Sequence, residues 1–180
     1  MATSTNIVSP YIITNITTTI NLMPFQLNNN ILTNILLELK KLEGKCYKDY
    51  GFISNILSII KYSDGILINE DDNANVSYKV EFQCKICIPM KDMVILAHIS
   101  HKSNELIILN NGPMRIYVQM NDLDKVDMNM DSFTIGMYVR VILLKHSFFH
   151  GDQFICIKGR ILGIETSDDI MKQYFETLYQ

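Results

Sequence analysis

From Val76 through Tyr78, Val80, Phe82, Cys84, Ile86 and Ile88 every second residue is apolar, while Ser77, Lys79, Glu81, Gln83 and Lys85 fill the positions between. Side chains alternate across a strand, so this run specifies one long β-strand with a buried and a polar face. A helix cannot accommodate an alternation of that length. The fold must therefore supply a sheet and something to cover one side of it. Pro89 ends the pattern and marks a boundary.

The residues before this strand complete a small α+β unit. Tyr11 to Leu22, "YIITNITTTINL", is β-branched and polar by turns and reads as a strand closed by Pro24. In "LNNNILTNILLELKKLEG" the residues Ile31, Ile35, Leu39 and Leu42 recur at helical spacing, and Asn28 or Asn29 is placed to cap the start. Lys40 and Lys41 suit the helix end, and Gly44 suits the positive φ beyond it. "GFISNILSII" and "GILIN" read as two more strands around the turn Ser63-Asp64-Gly65, giving a β-α-β-β-β order over residues 11–89 after a flexible stretch of residues 1–10.

Beyond Pro89 five short runs, "MVILAHIS", "ELIILNN", "MRIYVQM", "MYVRVILLKH" and "FICIKGRILGI", follow one another with turn signals between them. Five strands over residues 90–165 point to a small β-barrel of the OB type. The acidic insert "NDLDKVDMNMD" reads as a loop between the third and fourth strands. Residues 166–180 read as an amphipathic helix with Ser167 as N-cap and Ile170, Met171, Tyr174, Phe175 and Leu178 on one face.

Charge and composition then exclude several functions. With 16 basic and 19 acidic residues the net charge is −3, which argues against a strong duplex-DNA binder. No basic region precedes an apolar core at the N-terminus and no apolar run is long enough to span a bilayer, so the chain is expected to be unsecreted, off the membrane and intracellular. Cys46, Cys84, Cys87 and Cys156 are too few and irregular for a disulfide framework and are expected to be reduced. Cys84 and Cys87 form a lone CxxC, but on a strand they point to opposite faces, Cys84 inward and Cys87 outward. His98, His101, His146 and His150 share no helix that would align them. No phosphate loop, nucleophile elbow or paired-carboxylate motif is present. No enzyme, metal or other cofactor is expected.

What remains is a basic and aromatic barrel face. In "NGPMRIYVQM" Met114, Ile116 and Val118 would face inward and Arg115, Tyr117 and Gln119 outward, while Lys158 and Arg160 share the outer side of the last strand. The hairpin "KHSFFHGDQ" adds Lys145, His146, Phe148 and Phe149 between the last two barrel strands. Aromatic stacking with neighbouring cations is how single-stranded nucleic acid is held, and an ordinary solvated sheet face looks the same in sequence. The residues alone leave both readings open.

The order of these segments is similar to a known family. "EGKCYKDYGFI" (residues 43–53), "DGILIN", "VSYKVEF", "PMKDMV", "GPMRIYV", "YVRVILL" and "IKGRILGI" resemble the stalk subunit of multisubunit DNA-directed RNA polymerases, the seventh subunit of eukaryotic RNA polymerase II and its archaeal counterpart. The resemblance covers residues 11–165. It implies a tip domain and an OB domain, a fourth-subunit-like stalk partner, docking on the polymerase core, and contact with emerging single-stranded transcript. Position by position it implies core docking at Lys48, Asp49, Tyr50, Gly51 and Phe52, and places Gly112, Pro113, Met114, Arg115 and Tyr117 in the family's barrel turn. The chain departs from the pattern at Asp92 and at Ser103-Asn104, where the family commonly has glycine, and the acidic insert and terminal helix lack clear counterparts. Abundant Ile and Asn beside three Ala (Ala2, Ala74, Ala97) indicate an AT-rich genome, which suits a large DNA virus of eukaryotes or a protist. The location implied is the nucleus, or the virion and host cytoplasm in the viral case. The rival reading is a free-standing OB-fold factor that binds single-stranded RNA, for example in translation.

Overall fold

The computed structural model describes residues 7–68, 74–119 and 132–179. The acidic insert lies outside them, as does the start of the N-terminal stretch. The chain is α+β, with a sheet covered by one helix, a closed barrel and a terminal helix.

The first sheet is organised by the long alternating strand, β5 (Val76–Cys87). On one side it pairs antiparallel with β1 (Tyr11–Leu22), residue for residue, so that Ile16 stands opposite Phe82 and Ile20 opposite Tyr78. On its other side lies β3 (Gly51–Tyr62), which does not alternate. Three bulges explain this: Ile53, Ile56, Ile59 and Tyr62 are the register partners of Ile86, Cys84, Phe82 and Val80. A three-residue spacing on β3 is thereby matched to a two-residue spacing on β5, with Ser54, Leu57 and Ile60 left as the extra, exposed residues. The short β4 (Ile66–Leu67) continues along the same edge of β5.

One strand was not legible in the sequence. β2 (Lys45–Tyr47) pairs with the start of β3, and the order across the sheet is β1-β5-β3-β2. So short a strand shows no periodicity. Helix α1 (Ile31–Lys40) covers the inner face by burying Ile35 and Leu39 among Ile16, Ile20, Val80 and Phe82. Its N-cap is Asn30, whose side chain makes no capping bond; Asn28 Oδ1 instead accepts from the Asn30 amide at 2.9 Å. Gly44, with φ +76°, turns the chain from α1 into β2.

The barrel comprises β6 (Val94–Lys102), β7 (Leu106–Asn111), β8 (Met114–Gln119), β9 (Tyr138–Ser147) and β10 (Ile155–Ile164). Around it the order is β10-β8-β7-β6-β9, closed by β9 against β10. Among these described strands every pair is antiparallel except β8 with β10, which run parallel. This is the OB-type connectivity expected. Its interior is aliphatic: Ile99, Ile107, Leu109, Ile116, Val118, Val139, Val141, Ile157 and Ile161 are all buried.

The sheet and barrel share a packed junction, and here one expectation is corrected. Cys84 and Cys87 do lie on opposite faces, Cys84 in the core under α1 and Cys87 in the barrel cluster. Cys87 is nevertheless fully buried, because its end of β5 is covered by the barrel and not by water. Cys46 joins it, with Tyr11 and Phe52 packed alongside. Gly112 belongs to the same contact, since a Cβ there would collide with the Tyr11 hydroxyl.

Helix α2 (Asp168–Tyr179) follows the last barrel strand. Ser167 accepts a bond from the Ile170 amide at 3.5 Å, as an N-cap does. Tyr174 is buried and its hydroxyl accepts from Asn111 Nδ2 at 2.8 Å. Ile170, expected on the buried face, is 41% exposed. The side chain of Leu178 lies outside the description.

Candidate nucleic-acid interface

On β8 the burial alternates as the sequence requires, with Met114, Ile116 and Val118 inside and Arg115, Tyr117 and Gln119 outside. On β10 Ile155, Ile157 and Ile161 point in, and Lys158 is exposed. The parallel register places Arg115 beside Cys156 and Tyr117 beside Lys158. The antiparallel register with β9 then places Lys145 on the other side of Lys158. Tyr117, Lys158 and Lys145 thus form one row across three adjacent strands, although they are far apart in sequence.

This row borders a groove of about 270 Å³ that Cys156, Ile157 and His146 also line. Lys158 Nζ donates to Gln119 Oε1 at 3.0 Å, which holds the amine over the groove. The Arg115 guanidinium lies over the Phe154 ring, its carbon 4.1 Å from the ring centre. His146 stacks on Phe148 with ring centres 6.1 Å apart, and Phe148 is half-buried against the barrel core. Arg160 is half-buried beside Ile142, one step past Lys158, and does not line the groove. Phe154 and Cys156 were missed in the sequence, and Gln119 was expected on the outward face without a role in the site. Gln119 and Phe154 carried a signal, since each has the parity of the outward residues on its strand.

The turn after β2 is divided between surface and interior. Lys48, Asp49 and Tyr50 are exposed, and Lys48 adopts φ +45°. Tyr47 and Tyr50 stack at 6.2 Å, and Lys48 Nζ lies 5.1 Å from the Tyr47 ring centre. Gly51 is buried, and Phe52 is half-buried against the barrel. The hairpin loop between β9 and β10 reaches this turn: Cys46 N donates to Asp152 O at 2.7 Å and Gly151 N to Cys46 O at 2.8 Å. Lys48 N donates to His150 Nδ1 at 3.4 Å, and the His150 ring meets Tyr47 edge-on at 5.3 Å.

The thiols fall into two kinds. Burial pushes Cys46 and Cys84 up to about 11 and Cys87 up to about 12, whereas Cys156 is half-exposed on the outer barrel face. Among the described residues no three His, Cys, Asp or Glu side chains come together as metal ligands would. Among the same residues no helix is long and apolar enough to cross a membrane.

A helix-backed sheet joined to a closed OB-type barrel, with an aromatic and cationic row on the barrel's outer face, defines the class of protein. No protein-family model matches the chain. It is 26% identical over 176 residues to L376 of Acanthamoeba polyphaga mimivirus, a protein named provisionally as a DNA-directed RNA polymerase subunit, covering 90% of this chain and 87% of that one. It is also 26% identical over 118 residues to the DNA-directed RNA polymerase II subunit RPB7 of Glycine max, covering 65% of each. The chain is similar to RNA polymerase subunits of the RPB7 type, and the resemblance read from its motifs is borne out.

Proposed function

We propose that this chain is the non-catalytic stalk subunit of a multisubunit DNA-directed RNA polymerase and that it contacts the emerging transcript. The observation that carries the reading is the groove in which Tyr117, Lys145, His146 and Lys158 meet, on a chain similar over 90% of its length to a protein named as a polymerase subunit. An aromatic ring beside two amines offers a stacking surface and phosphate partners, and a few such contacts suit a weak, sequence-tolerant grip on single strands. Arg115 and Phe148 extend the same face, and Arg160 adds charge at its far end.

In this reading residues 11–89 form the tip, residues 90–165 the RNA-contacting barrel and residues 166–180 a helix that braces it. The exposed turn Lys48-Asp49-Tyr50 docks on the core subunits, and Gly51 and Phe52 tie that turn to the barrel. A fourth-subunit-like protein completes the stalk. The site of action is the nucleus, or the virion and host cytoplasm where the polymerase is viral.

Affinity purification of the tagged chain from cells in which it is expressed with its native partners tests the proposal. Recovery with the two largest polymerase subunits and one small partner supports it. Recovery with RNA but without polymerase subunits would favour the free-standing RNA-binding factor.

A further inference from the structure

We infer that Arg115 and Phe154 together form one base-stacking platform and Tyr117 a second, so that this face takes two consecutive, unstacked bases of a single RNA strand. The inference rests on the transcript reading above and assigns Arg115 a different task from the lysines beside it.

The geometry separates the two kinds of cation. The Arg115 guanidinium is laid over the Phe154 ring at 4.1 Å. Phe154, immediately before β10, and Arg115, on β8, are brought together by the parallel pairing of those strands, which opens with Ile155 N donating to Pro113 O at 2.8 Å. A planar guanidinium backed on one side by an aromatic ring is pre-oriented, and because Arg115 is exposed its other side is offered to solvent. A delocalised plane of that kind stacks on a base. A lysine ammonium in its place would keep the charge and lose the plane. Lys158 is held instead by Gln119, in the row with Lys145, where a phosphate can meet two amines.

Spacing then defines the ligand. Arg115 and Tyr117 share a face two residues apart, which is about 6.6 Å along a strand. Stacked bases in a duplex strand rise about 3.4 Å, so adjacent bases reach both platforms only when they are pulled apart. The face therefore suits extended single strands and excludes duplex.

The test is fluorescence anisotropy of the full chain with labelled oligouridine over a range of salt, for the native chain, Arg115→Lys, Phe154→Leu and Phe154→Tyr. Arg115→Lys is expected to lose at least about fivefold in affinity with an unchanged salt slope, the signature of a lost stack with charge retained. Phe154→Leu is expected to lose a similar factor, Phe154→Tyr to restore it, and the double variant Arg115→Lys with Phe154→Leu to be little worse than either alone. Native affinity for Arg115→Lys would overturn the inference and make Arg115 a phosphate contact, leaving the transcript reading intact. Absence of binding by the native chain would instead remove the transcript reading, and this inference with it.

Discussion

Lys145 on β9 and Lys158 on β10 stand directly opposite one another in the antiparallel pairing, with Tyr117 on the far side of Lys158. Like charges set across a strand pair repel, and the protein tolerates the arrangement on the face where an anion would relieve it. Lys145→Gln is therefore expected to stabilise the free protein by a few tenths of a kcal/mol at low salt, within the range of about 0.2–1 kcal/mol for cross-strand pairs. The same change should weaken RNA binding and flatten its salt dependence by about 0.7 in slope. Denaturant melts and a salt titration of binding check the two halves. A variant that loses stability and keeps its affinity would refute the anion role.

Gly51 adopts φ +107°, and a Cβ there would lie 2.5 Å from the Cys87 carbonyl oxygen and 3.1 Å from Ile88 Cγ1. Both the backbone and the space reject a side chain. Gly51→Ala should cost on the order of 3 kcal/mol, from backbone strain and overpacking together. Because the collision is with β5 at the sheet–barrel junction, the loss should be visible in urea unfolding even though the residue lies next to an exposed turn.

Asp92 has φ +66° and donates its amide to Leu143 O at 2.8 Å. Asp92, where the resemblance read from the motifs led one to expect glycine, thus takes a backbone conformation that glycine adopts without strain. Asp92→Gly should leave the fold intact and change stability by less than about 1 kcal/mol, whereas Asp92→Val should lose about 1–2 kcal/mol. Thermal melts of the two variants give the comparison.

The thiols supply a chemical and a pH prediction. Cys46, Cys84 and Cys87 are buried, and Cys156 is half-exposed, so a soluble disulfide reagent at pH 8 should react promptly with one thiol in the folded protein and with four after denaturation. Burial raises the three buried thiols above their ordinary value of 9.0, to about 11, 11 and 12. Folding therefore keeps protons that the unfolded chain releases above pH 9. The stability this contributes is fully present below pH 9 and is lost as pH rises through about 11 to 12. Unfolding free energies measured from about pH 8 to 11 should fall with increasing pH, and Cys87→Ala should make the fall shallower.

Legibility followed the length of each pattern. The twelve residues of β1 and the twelve of β5 were placed by alternation, and the five barrel strands by their short apolar runs between turns. Parity alone assigned Met114, Ile116 and Val118 to the core and Arg115 and Tyr117 to the surface. β3 was found as a strand without its faces being assigned, because three bulges gave it a spacing of three that matches no simple strand. β2 was missed because three residues carry no period. Phe154 was read as the start of its strand and overlooked as a site residue, because its value comes from a partner on another strand.

The sequence by itself determined which residues face a core and which face away, since that information repeats every two or four residues and is written locally. It also determined the order of sheet, barrel and helix, and the family to which the motifs are similar. Only the tertiary structure decided that the outward side of Cys87 is dry, that Lys158 sits between Tyr117 and Lys145, and that Arg115 rests on Phe154. Those facts depend on the register between strands distant in the chain. Register is set by bulges, glycines and the closure of the barrel acting together, and no local pattern encodes it.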